Sequence, residues 1–271
     1  MSAVWAVAGL DGRAVTRARW LQGLALAGVV LAGLIALAVA GDDGQDRQDA
    51  LRTGAASLLL LGGLVVALAL GATAFAGDAR SGYLGLMVGS GGTPSQVGGG
   101  RLIVRVACLV TIVALWGIAL QGASLAVGEG LDGPLAVHTA AALVNLALVM
   151  CATAAMASVI GPFAAGVFGI MVYISAQAAV NLKAALDQGA INRDSSVVIE
   201  PLYIAFPRAI VSPMLEDLQR REAGGPAAPQ LEVNGLDVIV PSSPAPNWLW
   251  TLVWTAVLAS LAVYGVRRRQ L

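Results

Sequence analysis

The sequence predicts an all-α polytopic membrane protein with six transmembrane helices. Of its 271 residues, 58% are hydrophobic and only 12% are charged, and the mean hydropathy is +0.79. Soluble domains carry about 25% charged residues. Six apolar runs are each near the length of about 20 residues that crosses a bilayer core. The formal net charge is zero, so the chain lacks the overall basic field of a nucleic-acid-binding protein.

Each predicted span is rich in leucine, alanine, valine and glycine, a composition that allows helices to pack closely in lipid. The spans are residues 21–40, 55–76, 102–127, 135–160, 162–182 and 248–266. Gly161-Pro162 separates the fourth span from the fifth, because proline fits the first turn of a helix and ends the helix before it. The first run exceeds the 7–15 residues or so that form the core of a signal peptide, so we expect it to remain as a helix.

The positions of the arginines predict the orientation of the chain. With the N-terminus inside, nine arginines flank cytoplasmic span ends, whereas the short outer loops hold only Arg47 and Arg52. Positive residues are enriched in cytoplasmic loops. Both termini are therefore expected in the cytoplasm, with the chain spanning the inner (cytoplasmic) membrane several times. Trp20, Trp248 and Trp250 occur at span ends, as in an aromatic belt.

The chain divides into three parts: 1–182 with the first five spans, an extracytoplasmic segment 183–247, and 248–271 with the last span and a basic tail. Residues 3–19 mix apolar side chains with arginines, which predicts an amphipathic helix on the inner membrane face. The alternative is that these residues are a charged flank of the first span.

The extracytoplasmic segment is too long to be a simple turn. Ser212-Pro213, followed by Glu216, has the pattern of a helix N-cap, so a short helix to about residue 222 is expected. Asn234-Gly235 within residues 231–240 predicts a β-hairpin. Because an isolated hairpin is marginal in water, we expect it to pack on the preceding helix, on a second copy of the chain or on an external partner.

Residues that could carry chemistry are scarce. Cys108 and Cys151 lie in apolar runs, where cysteine behaves as a small hydrophobe. His138 and Lys183 are the only residues of their types. We expect a satisfied interface histidine and a lysine that reaches the lipid headgroups. This scarcity predicts no metal site and no acid–base or nucleophile pair, and therefore no enzyme active site.

Four amide side chains lie in or near the spans, where polar groups are costly unless paired. One interpretation places them along a substrate path or a dimer seam, and the other gives them ordinary hydrogen bonds between helices. They are Gln121, Asn145, Gln177 and Asn181.

A glycine-rich stretch, GSGGTPSQVGGGR (89–101), joins the second and third spans. It lacks the lysine and following hydroxyl of a phosphate loop. Together with the six spans and the large outer segment, it resembles the permease subunits of ABC-2 type transporters, which have the type V exporter fold. The local match is Asp78 before Gly82, an apolar stretch 83–88, and Gly100-Arg101 where that family has Gly-Lys.

That resemblance implies that residues 77–101 form a cytoplasmic coupling loop that docks on a separate ATPase. The residues implied in ATPase coupling are Asp78, Arg80, Gly82, Tyr83, Leu84, Leu86, Met87, Gln96 and Arg101. The implied partners are two ABC ATPase subunits, which would bind ATP and Mg²⁺, and a second permease copy, identical or different. The chain itself would bind no cofactor.

The C-terminal part is similar to the permease of the ABC system that matures nitrous oxide reductase. The similar stretches are 204–213, 235–243 and a tryptophan-rich last span that ends in Arg267-Arg268-Arg269. Two functions follow from the resemblances. The chain is expected to couple ATP hydrolysis by its partner to movement of an unidentified substrate, or to transmit motion to an extracytoplasmic protein without moving cargo.

Overall fold

A computed structural model describes residues 3–42, 44–75, 93–223, 232–233 and 236–268. Nearly all of these residues are helical. The helices are α1 (Ala3–Thr16), α2 (Arg19–Val39), α3 (Gly44–Ser57), α4 (Gly63–Thr73), α5 (Pro94–Ala126), α6 (Gly133–Ala157), α7 (Pro162–Asp187), α8 (Ser196–Ala205), α9 (Pro213–Ala223) and α10 (Ala245–Arg268). A π-helical turn, Leu58–Gly62, makes α3 and α4 one continuous helix, and a 3₁₀ turn, Arg193–Ser195, precedes α8.

Within the described residues, six helices are long and apolar enough to cross a membrane, which agrees with the six predicted spans. They are α2, α3–α4, α5, α6, α7 and α10. Two of them begin earlier than hydropathy predicted, α3 at Gly44 rather than 55 and α5 at Pro94 rather than 102. Hydropathy marks the part of a helix that fits the bilayer core, whereas the helix itself continues as long as its backbone hydrogen bonds do.

Helix α6 forms the centre of the bundle and packs against α4, α7 and α10. It is the most buried of the six spans, whereas α2 is the most exposed. The turn after α6 matches the sequence prediction, since α6 ends at Ala157 and α7 begins at Pro162 with Gly161 as its N-cap. Cys108 and Cys151 are free thiols, as expected.

The bundle has two ends, which we name after a buried arginine at each. The Arg52 end holds the α2–α3 and α5–α6 connections and the described residues between 188 and 244, and there Arg52 binds Asp132. The Arg101 end holds α1, the first turns of α5 and the end of α10. There, Gly98 of α5 packs close to Val266 of α10.

The stretch after α8, part of the segment 183–247 that was predicted to be extracytoplasmic, packs between the helices of the bundle. Residues 209–212 are each at most 5% exposed and lie inside the bundle. The N–H of Ala209 donates to the carbonyl of Ala176 in α7 (3.2 Å), and Asn145, the middle residue of α6, bonds Ile210. Irregular backbone is tolerated at such depth where protein surrounds it. We call residues 207–212 the inserted segment.

The segment 183–247 was also predicted to contain a short helix and a β-hairpin. Helix α9 begins at Pro213, and the Ser212 hydroxyl accepts a hydrogen bond from the N–H of Leu215 (3.3 Å), as an N-cap does. Glu232–Val233 pairs antiparallel with Leu236–Asp237. These strands are shorter than the predicted hairpin, and its turn residues 234–235 lie outside the described part of the chain.

Candidate functional site

Helix α6 carries a line of buried polar side chains. They are Asp132 at its N-cap, His138, Asn145, Thr153 and Ser158 at its C-cap. Thr153 and Ser158 bond to carbonyls of α6 itself. The other three connect α6 to distant parts of the chain, so they are the polar contacts that determine how the bundle is assembled.

The contact at the Arg52 end is a buried ion pair. The Nε and Nη2 atoms of Arg52 donate to the two carboxylate oxygens of Asp132 at 2.7 and 3.1 Å. Gln121 brackets the same residue, donating to the Asp132 carbonyl (2.7 Å) and accepting from its N–H (3.0 Å). Gln121 therefore holds the α5–α6 connection, which supports the hydrogen-bonding interpretation of this residue over a substrate path.

Asn145 and His138 connect α6 to the inserted segment. The Asn145 amide donates to the carbonyl of Ile210 (3.0 Å) and accepts from its N–H (2.9 Å). The Nδ1 atom of His138 lies 2.9 Å from the Ser212 hydroxyl, and its Nε2 is buried with no hydrogen-bond partner among the described residues. The expectation of a satisfied interface histidine thus holds for one of the two ring nitrogens.

Gln177 and Asn181 lie one turn apart on α7, and both are half-buried. The contacts of Gln121 and Asn145 are with the backbone of two different connections. Gln121 and Asn145 therefore hold the chain together by hydrogen bonds, and their contacts do not support a role along a substrate path or dimer seam.

Most of the predicted ATPase-coupling residues lie outside the described part of the chain. These are Asp78, Arg80, Gly82, Tyr83, Leu84, Leu86 and Met87. Gln96 is described and forms a capping box with Thr93: its N–H donates to the Thr93 hydroxyl (3.3 Å), and its side chain accepts from the Thr93 N–H (2.9 Å). Gln96 therefore has a local role in starting α5.

Arg101 does not lie on the surface as a contact for a partner would. Its side chain is buried, and its Nη1 donates to the carbonyl of Ala74 at 3.5 Å. The role of Arg101 in ATPase coupling stays a prediction, and its burial is a finding of the structure. The sequence could not show this, because an arginine at the end of an apolar run is equally compatible with exposure and burial.

Helix α1 packs on the first turns of α5. A Cβ atom added at Gly100 would lie 2.7 Å from the carbonyl oxygen of Val4, and Arg105 of α5 lies 3.9 Å from Asp11 of α1. Val7 and Val15 are buried in this contact, whereas Trp5 and Leu10 are exposed. The predicted helix is therefore present, and its lipid-facing position stays a prediction.

Helix α5 is longer than a membrane crossing requires. Its 33 residues span about 50 Å at about 1.5 Å per residue, compared with a bilayer core of about 30 Å. The polar stretch 94–101 is at its N-terminal end. The start of α5 follows residues 76–92 in the chain, and α1 and the end of α10 pack on it.

Three basic residues at the Arg52 end make contacts that were not predicted from the sequence. Lys183 pairs with Asp187 one turn along α7, and Arg221 of α9 pairs with Asp49 of α3 at 2.9 Å. Arg208 contacts Tyr203, Asn247 and Trp250. The i,i+4 spacing of Lys183 and Asp187 could have indicated their pair, whereas the partners of Arg221 and Arg208 are remote in sequence or have many alternatives.

The fold and its contacts define the class of the chain as a multi-pass α-helical membrane protein. No protein-family model matches the chain, and no curated protein is significantly similar to it.

Proposed function

We propose that this chain is the membrane-spanning permease subunit of an ATP-driven ABC transporter of the ABC-2 type. It would work with two ATPase subunits and a second permease copy. The observation that carries the proposal is the capped start of α5, with α1 packed on it. This start directly follows the stretch that resembles a coupling loop.

In this proposal, residues 77–92 dock on the ATPase, and movement of the ATPase is transmitted to the packed helices α1 and α5. Closure of the two ATPases around ATP would press on the start of α5 and shift the helices between two packings. Arg101 and Arg105 would serve inside the chain, since they fix α5 to its neighbours. The cargo remains open among lipid, peptide, drug and ion.

The first test is purification of the tagged chain from its native host in mild detergent, with identification of the proteins that accompany it. One soluble ATPase per copy of this chain is the expected result. A chain that purifies alone in several detergents would instead favour a gradient-driven transporter or a scaffold.

A charge reversal tests the coupling assignment in the purified complex. Asp78→Arg should uncouple ATP hydrolysis from the membrane subunit, because a docking contact loses its charge complementarity. The matched control is Asp194→Arg, in the exposed turn before α8 at the opposite end. Unchanged ATPase stimulation in the Asp78 variant would count against the assignment. Arg101 is a poor site for this test, because reversal of a buried charge also destabilises the fold.

A second candidate function is transmission of motion to an extracytoplasmic protein without cargo. The observation in its favour is that the stretch after the two short strands is attached to two helices. Gln188, at the end of α7, exchanges hydrogen bonds with the backbone of Ile239, and Gln219 of α9 accepts from the N–H of Val240 at 2.9 Å. Movement of α7 or α9 would therefore be passed to residues 232–237.

Replacing residues 232–237 with a glycine-serine linker, while keeping Ile239 and Val240, tests this second function. Loss of the cellular function with intact ATPase activity would support motion transmission to a partner. Loss of ATPase activity as well would assign the strands a folding role. Intact function and activity would favour cargo transport without such a partner.

A further inference from the structure

Arg208, the second residue of the inserted segment, is held at the Arg52 end by Tyr203, Asn247 and Trp250, which we call the clamp. Its Nε donates to the carbonyl of Tyr203 and its Nη1 to the side-chain oxygen of Asn247, both at 2.9 Å. The guanidinium lies 4.0 Å from the centre of the Tyr203 ring and 5.7 Å from that of Trp250. Thr251 fixes the backbone, donating to the Arg208 carbonyl at 2.6 Å.

The described part of the clamp supplies no carboxylate to the charge of Arg208, which meets neutral acceptors and aromatic rings. A guanidinium has five N–H donors, and the two bonds to Tyr203 and Asn247 leave three of them without an acceptor in the described chain. Both acceptors are neutral, and no carboxylate of a described residue forms an ion pair with Arg208. An oriented, half-buried arginine with spare donors matches an anion with several oxygens, and phosphate suits this geometry.

The surroundings of the clamp are apolar and exposed. Ile204 and Phe206 beside Arg208 are 61% and 42% exposed, and Leu249 beside Trp250 is 65% exposed. This patch continues into the exposed side of α10 through Leu252 and Val253. A surface of this kind is unfavourable in water but natural against acyl chains. Trp250 and Tyr203 are also the residue types enriched at the membrane–water interface.

We infer that Arg208 binds the phosphate of a phospholipid headgroup in the leaflet at the Arg52 end, with the lipid's acyl chains against Ile204, Phe206 and Leu249. This site does not depend on the proposed transport function, because it rests on the clamp and its apolar rim alone. Its role would be to anchor α8 and the start of α10 at headgroup level, next to the inserted segment.

Native mass spectrometry of the purified chain in detergent tests the inference. The probes are phosphatidylglycerol and monogalactosyldiacylglycerol with the same acyl chains, so that only the first contains phosphate. We expect the wild type to bind phosphatidylglycerol about tenfold more tightly, the effect of one or two charge-assisted hydrogen bonds. Equal binding of the two lipids by the wild type would overturn the inference, and this comparison requires no variant to fold.

Variants locate the site. Arg208→Gln should remove the preference for phosphatidylglycerol, whereas Arg208→Lys, which keeps the charge but loses the planar fork, should keep part of it. The matched control is Arg193→Gln, which removes the same charge from an exposed turn at the same end. Equal loss in the Arg193 and Arg208 variants, or no loss in either, would contradict the assignment.

Inorganic phosphate separates the two sources of the same chemistry. A lipid site should keep phosphatidylglycerol in the presence of excess inorganic phosphate, because the acyl chains contribute to binding. If free phosphate displaces the lipid and chloride at the same ionic strength does not, the site binds a soluble anion. That result would overturn the lipid assignment.

Discussion

The Arg52 end and the Arg101 end of the bundle differ in the contacts that hold their helices together. At the Arg52 end, the ion pair between Arg52 and Asp132 and the bonds of Gln121 link three helices and a connection. At the Arg101 end, the described residues include contacts from Arg101 to the carbonyl of Ala74 (3.5 Å) and from Arg105 to Asp11 (3.9 Å).

Close approach of backbones is a contact that the described residues show at the Arg101 end. Gly100 brings α5 against the backbone of α1, and Gly265 brings α10 against Ser158 of α6. Hydrogen bonds and buried ion pairs have one favoured geometry, whereas small residues let neighbouring helix backbones approach closely. The comparison shows that the Arg52 end is fixed by polar contacts of defined geometry and that close backbone packing contributes at the Arg101 end.

The largest expected effect is the loss of the Arg52–Asp132 pair. Arg52→Ala should lower the free energy of unfolding by about 3–5 kcal/mol, because it leaves the buried Asp132 without its partner charge. Unfolding in detergent, followed by circular dichroism, measures the effect. The control is Lys183→Ala, which removes an exposed pair with Asp187 and should cost about 0.5 kcal/mol or less. Similar losses in the two variants would contradict a fixed Arg52 end.

The neighbouring glycines of α5 test the close packing at the Arg101 end. Gly100→Ala should cost about 1–3 kcal/mol, because the new methyl group would meet the Val4 carbonyl oxygen at 2.7 Å. The control is Gly99→Ala, where nothing lies within 4 Å and helix propensity should add about 0.5–1 kcal/mol of stability. Thermal unfolding of both variants gives the comparison, and two equal shifts would show that α1 is not in contact with α5.

The hydrogen bonds between α6 and the inserted segment should contribute less to the free energy of unfolding than the Arg52–Asp132 ion pair. Asn145→Ala removes both bonds to Ile210 and should cost about 1–2 kcal/mol of unfolding free energy. Gln177→Ala, on the half-buried face of α7, is the control and should cost about 0.6 kcal/mol. Hydrogen exchange of residues 209–211 should rise in the Asn145 variant only. Unchanged exchange there would mean that other contacts hold the segment.

The smallest effect is a pH dependence at α9. Hydrogen bonds from Arg220 and then from the Ser242 N–H lower the pKa of Glu216 from its ordinary value of 4.5. A lowered pKa in the folded state means that the carboxylate stabilises this contact above the unfolded pKa and loses that effect as the pH falls through the folded pKa.

Hydrogen exchange of the Ser242 amide should therefore increase as the solution is acidified below about pH 4.5, the ordinary carboxyl range, and the contribution should be under about 1 kcal/mol. Glu216→Gln should remove this pH dependence. An acid-induced change of the same size in that variant would assign the effect to another group.

The sequence by itself determined the features that depend on neighbouring residues. The six apolar runs gave the spans, Gly161-Pro162 gave the turn between α6 and α7, and Ser212-Pro213 gave the start of α9. Each of these rests on local chemistry: the transfer of apolar side chains into lipid, the missing N–H of proline, or a hydroxyl that caps a helix.

Only the tertiary structure decided which polar groups meet. Arg52 and Asp132 are 80 residues apart, and Asn145 and Ile210 are 65 apart. A polar residue in an apolar run shows that a partner is needed, because an unpaired group is costly in lipid, but it does not show which one. The same reason explains why the burial of Arg101 and of residues 209–212 could not be predicted from the sequence.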